Sequence, residues 1–463
     1  MLKYTPKEVI ERQALVINPC KTCQPVGALY AALGVHGCLP HSHGSQGCVA
    51  FHRMYLTRHF KDPIQASSSS FTEGASVFGG GSNLKTAVKN IFELYNPDII
   101  AVHTTCLSET IGDDLNALLV DISPTVPDGK YVVHANTPSY CGSHITGFTN
   151  MVNGFMKYLS KSTGVLNGRL ALFPGWLNPG DYRELKNIMR EMNVPFIMLP
   201  DTDGTVDTPT TGEYVMYEKG GTTIDEIKSL GDCKKSLGLG LTVSSLNVEH
   251  LQKQCKVKGS TIPYPIGIEA TDTFVSKLQE FSAEEVPLKL EEQRGYLVDM
   301  MIDTHQYTYE KKVAIYGDPD FVIGMMSLCL ELGMIPKYCI TGTPSPTFEE
   351  EGKELLEKYG VNEDCKVQAA NQLNTTTDLF LLHQWIKNSP VDLLIGGTHG
   401  KHIARAEEIP LVRAGFGIID RYCHSYFPIV GYEGAMRMVE KITNALMDYE
   451  DSHCEEKDVE LVM

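Results

Sequence analysis

Apolar positions in this chain recur with two spacings, one typical of helices and one typical of buried strands. Between residues 84 and 95 the apolar side chains fall three or four positions apart, on one stripe of a helix. The members of that stripe are Leu84, Val88, Ile91, Phe92 and Tyr95. Asn96-Pro97 ends the pattern, because a residue before proline is disfavoured in helical geometry. The pattern therefore predicts a helix over 84–95 and a strand over 99–103.

The same alternation of short apolar runs and amphipathic segments continues to the end of the chain. Further strands are predicted at 131–134, 170–173, 196–199, 313–316, 336–341, 393–395 and 411–414. Helices are predicted from Pro179, with Asn178 as N-cap, to about Met192, from the Gly317 turn to near Gly333, and over 297–305 and 432–449. The alternation predicts an α/β fold of three doubly wound, mostly parallel-sheet Rossmann-like domains, at residues 1–165, 166–310 and 311–463.

Composition narrows the partners and the compartment. The 463 residues carry a formal net charge of −17, without a tract rich in Lys or Arg, which argues against nucleic acid and acidic membranes as partners. No apolar run approaches the roughly 18 residues of a membrane span. The first 15 residues carry five charged side chains where a signal peptide needs an apolar core, namely Lys3, Lys7, Glu8, Glu11 and Arg12. We therefore expect a cytoplasmic protein.

Thirteen cysteines give an odd number, and a reducing cytoplasm would keep them as thiols. Cys329 and Cys339 lie in apolar runs and are expected in the core. Cys23, Cys48 and Cys106 instead lie in turn-like, polar contexts, where thiolates could bind an iron–sulfur cluster or zinc. Their spacing matches neither a zinc finger nor a ferredoxin, so it leaves scattered core cysteines and a cluster site about equally open, and three thiolates would leave a fourth cluster position unfilled.

Other motifs point less clearly to chemistry. The glycine-rich segment 78–85 opens a helix but lacks the ending of a nucleotide P-loop, and the Gly317 turn lacks a dinucleotide fingerprint. His41 and His43 could be metal ligands, but two histidines in a polar loop are more often hydrogen-bonding residues, and we interpret them in this way. Asp299 and Asp303 lie four apart on a predicted helix, where like charges favour a bound cation; a solvated helix face is the alternative.

Six motifs in order resemble the beta chains of nitrogenase molybdenum-iron proteins, in a short form without a long N-terminal extension. They are Lys21-Thr22-Cys23-Gln24-Pro25, His43-Gly44-Ser45-Gln46-Gly47-Cys48, Arg58-His59-Phe60-Lys61-Asp62-Pro63, Thr104-Thr105-Cys106-Leu107-Ser108-Glu109, Ile111-Gly112-Asp113-Asp114 and Thr137-Pro138-Ser139. The resemblance covers essentially the whole chain. It implies an oxidoreductase subunit in an α₂β₂ heterotetramer, with an 8Fe-7S P-cluster held between the alpha and beta chains.

The resemblance also implies roles for individual residues. Cys23, Cys48 and Cys106 would be this chain's ligands to the P-cluster, with the alpha chain supplying the others. Ser139 matches a serine that can join the cluster when it is oxidised. This role agrees with the preference of oxidised iron for a hard alkoxide; a simple turn residue is the alternative. Cys141, two residues further on, and Cys20 are expected to be core or supporting thiols, not ligands.

Two further sites are implied at interfaces. Asp299 and Asp303 match carboxylates that bind calcium or iron between two beta chains, with Asp62 and the Lys61 carbonyl coming from the other copy. Asp62 stands where glutamate is more usual, which shortens its reach by one methylene. Phe78 matches an aromatic residue where the iron protein docks; a buried residue packed ahead of the next helix is the alternative.

The implied activity is electron relay from the ATP-hydrolysing iron protein, through the P-cluster, to an iron-molybdenum cofactor in the alpha chain, where dinitrogen is reduced to ammonia. No catalytic residue is expected in this chain itself. The alternatives are a cofactor-assembly scaffold of the same superfamily, the beta chain of a vanadium or iron-only nitrogenase, and a zinc-binding structural protein.

Overall fold

The computed structural model describes residues 4–10, 12, 15–361, 364–370 and 377–455. Lys3 and Glu11, two of the charges expected to exclude a signal peptide, and the predicted domain ends at residues 1 and 463 lie outside the described residues. The chain divides into two compact units. The first unit comprises Thr22–Ile262 with Ser425–Phe427, and the second comprises Met1–Lys21, Pro263–His424 and Pro428–Met463.

The first unit contains two sheets, and most of the predicted site residues lie in the helices and loops that connect the strands of the first sheet. Its strands are Cys38–His43 (β1), Ser67–Ser68 (β2), Ile99–Thr104 (β3) and Tyr131–Ala135 (β4). They pair in parallel in the order β2-β1-β3-β4. The helices are Gln24–Leu33 (α1), Gln46–Phe60 (α2), Glu73–Phe78 (α3), Gly81–Tyr95 (α4), Cys106–Ile111 (α5), Leu115–Ile122 (α6) and His144–Leu159 (α7). The apolar stripe of α4 packs with β1, β3 and α6 in one core.

The second sheet of this unit follows the same parallel design. Its strands are Leu170–Phe173 (β5), Phe196–Met198 (β6), Lys235–Leu239 (β7) and Gly259–Ile262 (β8), in the order β6-β5-β7-β8. Its helices are Pro179–Glu191 (α8), Ile224–Ser229 (α9) and Leu241–Cys255 (α10). Hydrogen bonds join α10 to α7; among them, Thr149 Oγ1 donates to the Val243 carbonyl at 2.6 Å, and Asn247 Nδ2 donates to the Thr149 carbonyl at 3.0 Å.

The second unit is built on one five-stranded parallel sheet. Its strands are Lys312–Tyr316 (β9), Ile335–Thr341 (β10), Lys366–Ala369 (β11), Leu393–Gly396 (β12) and Leu411–Arg413 (β13), in the order β11-β10-β9-β12-β13. The helices are Ile268–Ser282 (α11), Leu288–Thr308 (α12), Pro319–Glu331 (α13), Phe348–Lys358 (α14), Leu379–Asn388 (α15), Lys401–Glu407 (α16) and Gly431–His453 (α17). Helices α11 and α12 pack against α17.

Three parallel sheets with intervening helices confirm the predicted fold class. The predicted elements also occur, with bounds that differ by a few residues; the helix over 297–305 is the C-terminal part of the longer α12. The domain limits at residues 165 and 310 remain predictions. Within the described residues, no helix is both long enough and apolar enough to cross a membrane.

One interpretation from the sequence is wrong. His41 and His43 do not lie in a polar loop, because both belong to β1 and neither is accessible to solvent. Their ring nitrogens bond to serine hydroxyls, His41 to Ser67 and Ser69 and His43 to Ser69, at 2.8 to 2.9 Å. The expected hydrogen-bonding role is therefore confirmed. The buried strand itself was not predicted, because its histidine and serine side chains are polar.

Candidate metal centre

Each of the three predicted ligand cysteines lies at the start of a helix. Cys23 is the N-cap of α1, Cys48 is the third residue of α2, and Cys106 is the first residue of α5. The turn-like context expected for Cys48 is thus the first turn of a helix. Backbone N–H groups are unpaired at helix N-termini, and the helix dipole favours negative charge there. The three positions therefore suit thiolates.

The sheet brings two of these helix starts together. Strands β1 and β3 are parallel neighbours, paired up to His43 and Thr104, so α2 and α5 begin at the same edge of the sheet. Thr105 Oγ1 donates to the His43 carbonyl at 3.1 Å and joins the two connections directly. A side chain on Gly44 would collide with Thr105, since a Cβ atom there would lie 2.1 Å from its hydroxyl oxygen. The close approach of the two connections thus depends on glycine.

The loop that carries Ser139 lies at this same edge. It follows β4, the other neighbour of β3, and Thr137 binds Thr104 twice: the Thr137 N–H donates to Thr104 Oγ1 at 2.6 Å, and Thr137 Oγ1 donates to the Thr104 carbonyl at 2.7 Å. Ser139 is half-buried two residues later. The structure therefore brings Ser139 to the edge that carries Cys48 and Cys106.

Helix α1, which carries Cys23, is fastened beside this loop by α7. The His144 N–H donates to the Thr22 carbonyl at 3.0 Å, and Gln24 Nε2 donates to the Cys141 carbonyl at 3.0 Å. Two glycines allow the close packing of α1 on α7. A Cβ atom on Gly27 would lie 1.7 Å from the His144 carbonyl oxygen, and one on Gly147 would lie 1.9 Å from the Gln24 carbonyl oxygen.

The thiol of Cys23 is influenced by both burial and hydrogen bonds. Burial raises its pKa, while hydrogen bonds from the Thr22 side chain and the Val26 backbone lower it. Cys48 also acts to raise the Cys23 pKa, in the same direction as burial. Ser45 Oγ donates to Cys48 Sγ at 3.4 Å, and Cys106 is exposed. Within the described ranges, no group of three or more His, Cys, Asp or Glu side chains forms a metal site by geometry alone.

Sequence reasoning missed one residue of this region. His52 Nε2 lies 3.5 Å from Cys23 Sγ, and burial lowers the pKa of this imidazole to about 4. The position had a signal, because His52 follows Cys48 by four residues and so lies on the same face of α2. The spacing is informative only if α2 is known to begin before Cys48. The polar sequence Gly44-Ser45-Gln46-Gly47 does not indicate the start of a helix.

The two other cysteines near the motifs differ in their surroundings. Cys141 is exposed, and its sulfur lies 3.6 Å from Gln24 Nε2. Cys20 belongs to the second unit, where it packs against a core that includes Tyr316 and Tyr338, and burial raises the pKa of its thiol. Cys329 and Cys339 are completely buried, as expected.

The residues predicted at interfaces lie on the surface of their units. In the first unit, Lys61 is the C-cap of α2 in a left-handed conformation (φ 73°), and Asp62 follows it; burial and the neighbouring Asp207 raise the Asp62 pKa. In the second unit, Asp299 and Asp303 are exposed one turn apart on α12. Phe78, the last residue of α3, is 90% exposed, which excludes its alternative role as a buried residue.

Comparison with known proteins defines the class. The chain belongs to the family of nitrogenase component 1 type oxidoreductases, whose family model matches residues 23–447. The expected enzyme class, a subunit of a nitrogenase oxidoreductase, is thereby confirmed.

The relatives within that family are beta chains of molybdenum-iron proteins, and they confirm the resemblance that the motifs indicate. The chain is 56% identical to the nitrogenase molybdenum-iron protein beta chain of Clostridium pasteurianum, with 100% of both sequences covered. It is 40% identical to that of Rippkaea orientalis, over 94% of this chain and 85% of the relative. It is 37% identical to that of Azotobacter vinelandii, over 95% of this chain and 85% of the relative.

Solved structures agree with this assignment. A chain of nitrogenase Cp1 at pH 6.5 superposes with a TM-score of 0.97 at 56% identity, covering 100% of both chains. A chain of nitrogenase Cp1 at pH 5, only 16% identical, superposes with a TM-score of 0.66 over 98% of this chain and 94% of its own length. The second match shows a shared fold alone.

Proposed function

We propose that this chain is the beta subunit of a molybdenum-iron nitrogenase, in which it forms half of a P-cluster cage shared with an alpha chain in an α₂β₂ heterotetramer. The observation that carries the proposal is the convergence of Cys48, Cys106 and the Ser139 loop at one sheet edge, with Cys23 held beside that loop. An 8Fe-7S cluster bound there would supply a relay for electrons passing from the iron protein to the iron-molybdenum cofactor of the alpha chain.

The donor set fits an iron–sulfur cluster. Thiolates are the ligands that iron–sulfur clusters prefer, and here they stand at three helix N-termini, where backbone N–H groups stabilise negative charge. Cys106 is exposed and Cys48 is half-buried, which suits a ligand shared with another chain. In this proposal the chain's own residues position thiolates and set their electrostatic environment, and none of them contacts dinitrogen.

Ser139 has a different proposed role. Its hydroxyl is a poor ligand while protonated, but its alkoxide is a hard donor that favours oxidised iron. The half-buried position in the β4–α7 connection allows the side chain to approach the same edge as the thiolates. Loss of the Ser139 proton on oxidation would couple electron transfer to proton release.

We further propose the two interface roles. The exposed carboxylates of Asp299 and Asp303, one turn apart, suit a hard cation such as calcium or iron, with Asp62 and the Lys61 carbonyl contributed by a second beta chain. The iron protein would dock on a surface that includes Phe78, because an exposed aromatic side chain is a typical anchor of a protein interface.

The test is ATP-dependent acetylene reduction by the chain purified anaerobically with its natural alpha partner and supplied with cognate iron protein and reductant. We expect turnover that is lost in Cys48→Ala and retained in Cys141→Ser, a matched change to an exposed thiol that the proposal leaves outside the cluster. Retained turnover in Cys141→Ser would also show that the nearby Cys141 thiol is not needed in place of the assigned Ser139.

The opposite outcomes point to the alternatives. Full iron content with a working iron protein but without turnover would favour a cofactor-assembly scaffold. Zinc without acid-labile sulfide would favour a structural zinc site. Molybdenum in the purified active complex would separate the proposed enzyme from the vanadium and iron-only types.

A further inference from the structure

The imidazole of His52 is buried against the proposed cluster ligand Cys23. Its Nε2 atom lies 3.5 Å from Cys23 Sγ, within hydrogen-bonding distance for sulfur, and the residue is 2% exposed. The ring is also confined by aromatic neighbours. The Phe51 ring lies 6.1 Å from it edge-to-face, and the His103 ring lies 6.2 Å away, itself bonded to Ser42 Oγ at 2.7 Å. The contact with Cys23 is therefore part of a packed arrangement.

The chemistry of the two atoms sets the direction of this hydrogen bond. A cysteine that binds iron is a thiolate, and a thiolate can only accept a hydrogen bond. His52 Nδ1 is buried and has no hydrogen-bond partner among the described residues. A hydrogen on Nδ1 would leave a buried donor unpaired and would set two lone pairs against each other at Nε2 and Sγ. A hydrogen on Nε2 leaves only a lone pair without a partner, which proteins tolerate better than an unpaired donor.

We propose that His52 donates its Nε2–H to the Cys23 thiolate and thereby raises the reduction potential of the cluster that Cys23 binds. The inference rests on the proposed function and deepens it. An N–H donor withdraws negative charge from a ligating sulfur. Because the reduced cluster places more negative charge on its sulfur ligands than the oxidised cluster does, the bond stabilises the reduced form more. His52 is thus a positioning and tuning residue that acts on the cluster through Cys23.

The experiment compares three variants of the complex with the alpha chain. His52→Phe keeps an aromatic ring but removes the donor, and His52→Gln keeps an N–H donor. His134→Phe removes another buried imidazole, one that bonds to Tyr158 Oη at 2.6 Å. The first readout is the midpoint potential of the P-cluster in an EPR-monitored redox titration. The second is the hyperfine coupling of the oxidised wild-type cluster to nitrogen-15 in labelled histidine, which needs no variant.

We expect His52→Phe to shift the midpoint potential by about 60 mV in the negative direction, the equivalent of a tenfold change in a one-electron equilibrium. His52→Gln should recover part of that shift, and His134→Phe should match the wild type. The wild-type cluster should couple to a histidine nitrogen, and the coupling should vanish in His52→Phe. An unchanged potential in His52→Phe at full iron content, or an absent coupling in the wild type, would overturn the inference and leave the proposed function intact. Absence of any P-cluster signal from the wild-type complex would overturn the proposed function itself.

Discussion

The carboxylate of Asp113 accepts a hydrogen bond from Nε2 of the buried His43, at 3.1 Å. This contact sets the direction of the hydrogen bonds in a series of buried side chains. Burial lowers the His43 pKa, although Asp113 acts in the opposite direction, and the lowered pKa favours the neutral ring, which carries one hydrogen. Because the carboxylate only accepts, that hydrogen lies on Nε2, and His43 Nδ1 accepts from Ser69 Oγ. Ser69 in turn accepts from His41 Nε2 at 2.8 Å.

Asp113 also connects this series of hydrogen-bonded side chains to the segment that follows Phe78. Both carboxylate oxygens accept the Gly80 N–H, at 3.0 and 3.1 Å. We expect Asp113→Ala to lower the free energy of unfolding by about 1–3 kcal/mol, because it leaves two donors without their partner. The measurement is the apparent melting temperature of the complex, with the exposed Asp121→Ala as control. Equal melting temperatures for the two variants would contradict a structural role for the Asp113 carboxylate.

The packing of α1 on α7 gives a prediction about cluster assembly. Gly27→Ala would place a methyl group 1.7 Å from the His144 carbonyl oxygen, and backbone atoms cannot yield as a flexible side chain can. The helix must shift, and Cys23 at its N-cap must shift with it. We expect a loss of about 1–3 kcal/mol of stability and a fall in iron per complex. Gly295→Ala in α12, where an added Cβ meets no described atom within 4 Å, should leave iron content unchanged. Normal iron content in Gly27→Ala would mean that the position of α1 is not critical.

Buried neutral histidines predict a loss of stability in acid. Burial, aided by the neighbouring His43, lowers the pKa of His41 to about 3, whereas an unfolded histidine titrates near 6.5. As the pH falls below about 6.5, the unfolded chain takes up a proton that the folded chain does not. The neutral, buried His41 therefore does not reduce the stability of the folded protein above that pH, and the folded protein loses stability as the pH falls below it. Linkage gives a loss of about 2 kcal/mol from this group between pH 7 and pH 5.

The comparison of His41→Gln with the wild type isolates this contribution. The apparent melting temperature of the complex should fall less between pH 7 and pH 5 in the variant. His453→Gln, which removes an exposed histidine of α17, should follow the wild type. A wild-type pH dependence in His41→Gln would show that His41 does not remain neutral in the folded protein.

The amphipathic parts of the fold could be predicted from the sequence, and the buried polar parts could not. Helix α4 follows from its apolar stripe, and α8 follows from Asn178 and Pro179, which occupy the N-cap and first helical positions. Strand β1 has the sequence CLPHSH, which lacks the apolar run typical of a buried parallel strand. Its polar side chains bond to serines, to Asp113 and to His103, which are distant in sequence, so only tertiary structure reveals the strand.

The candidate site divides in the same way. A ligand role for Cys23, Cys48 and Cys106 could be proposed from the motifs that surround them, but their spacing alone left that role ambiguous. The hydrogen bonds of Thr105 and Thr137, which join the three connections, depend on the order of strands in the sheet. The contact between His52 and Cys23 depends on the meeting of α1 and α2. These relationships arise between elements, and no local pattern encodes them.

The proposed docking surface predicts a change in binding without a change in stability. Phe78 is 90% exposed, so Phe78→Ala should change the melting temperature little. If its ring is a binding anchor, removal should weaken iron-protein binding by about 2 kcal/mol or more, roughly a thirtyfold rise in the concentration needed for half-maximal activity. Leu94→Ala, which removes another exposed apolar side chain, is the control. An unchanged titration with iron protein in Phe78→Ala would place the docking surface elsewhere.

The carboxylates of α12 predict a cation whose removal affects assembly and leaves the cluster intact. Asp299 and Asp303 carry like charges one turn apart, an arrangement that costs stability unless a cation lies between them. We expect Asp299→Asn and Asp303→Asn each to reduce bound calcium or iron in dialysed complex and to favour dissociation of the tetramer into alpha–beta pairs, as measured by sedimentation. The P-cluster EPR signal and the activity of each pair should persist. Asp451→Asn, which removes an exposed charge of α17, should change neither measurement. Retention of the cation and of the tetramer in the double variant Asp299→Asn/Asp303→Asn would show that these carboxylates face solvent only.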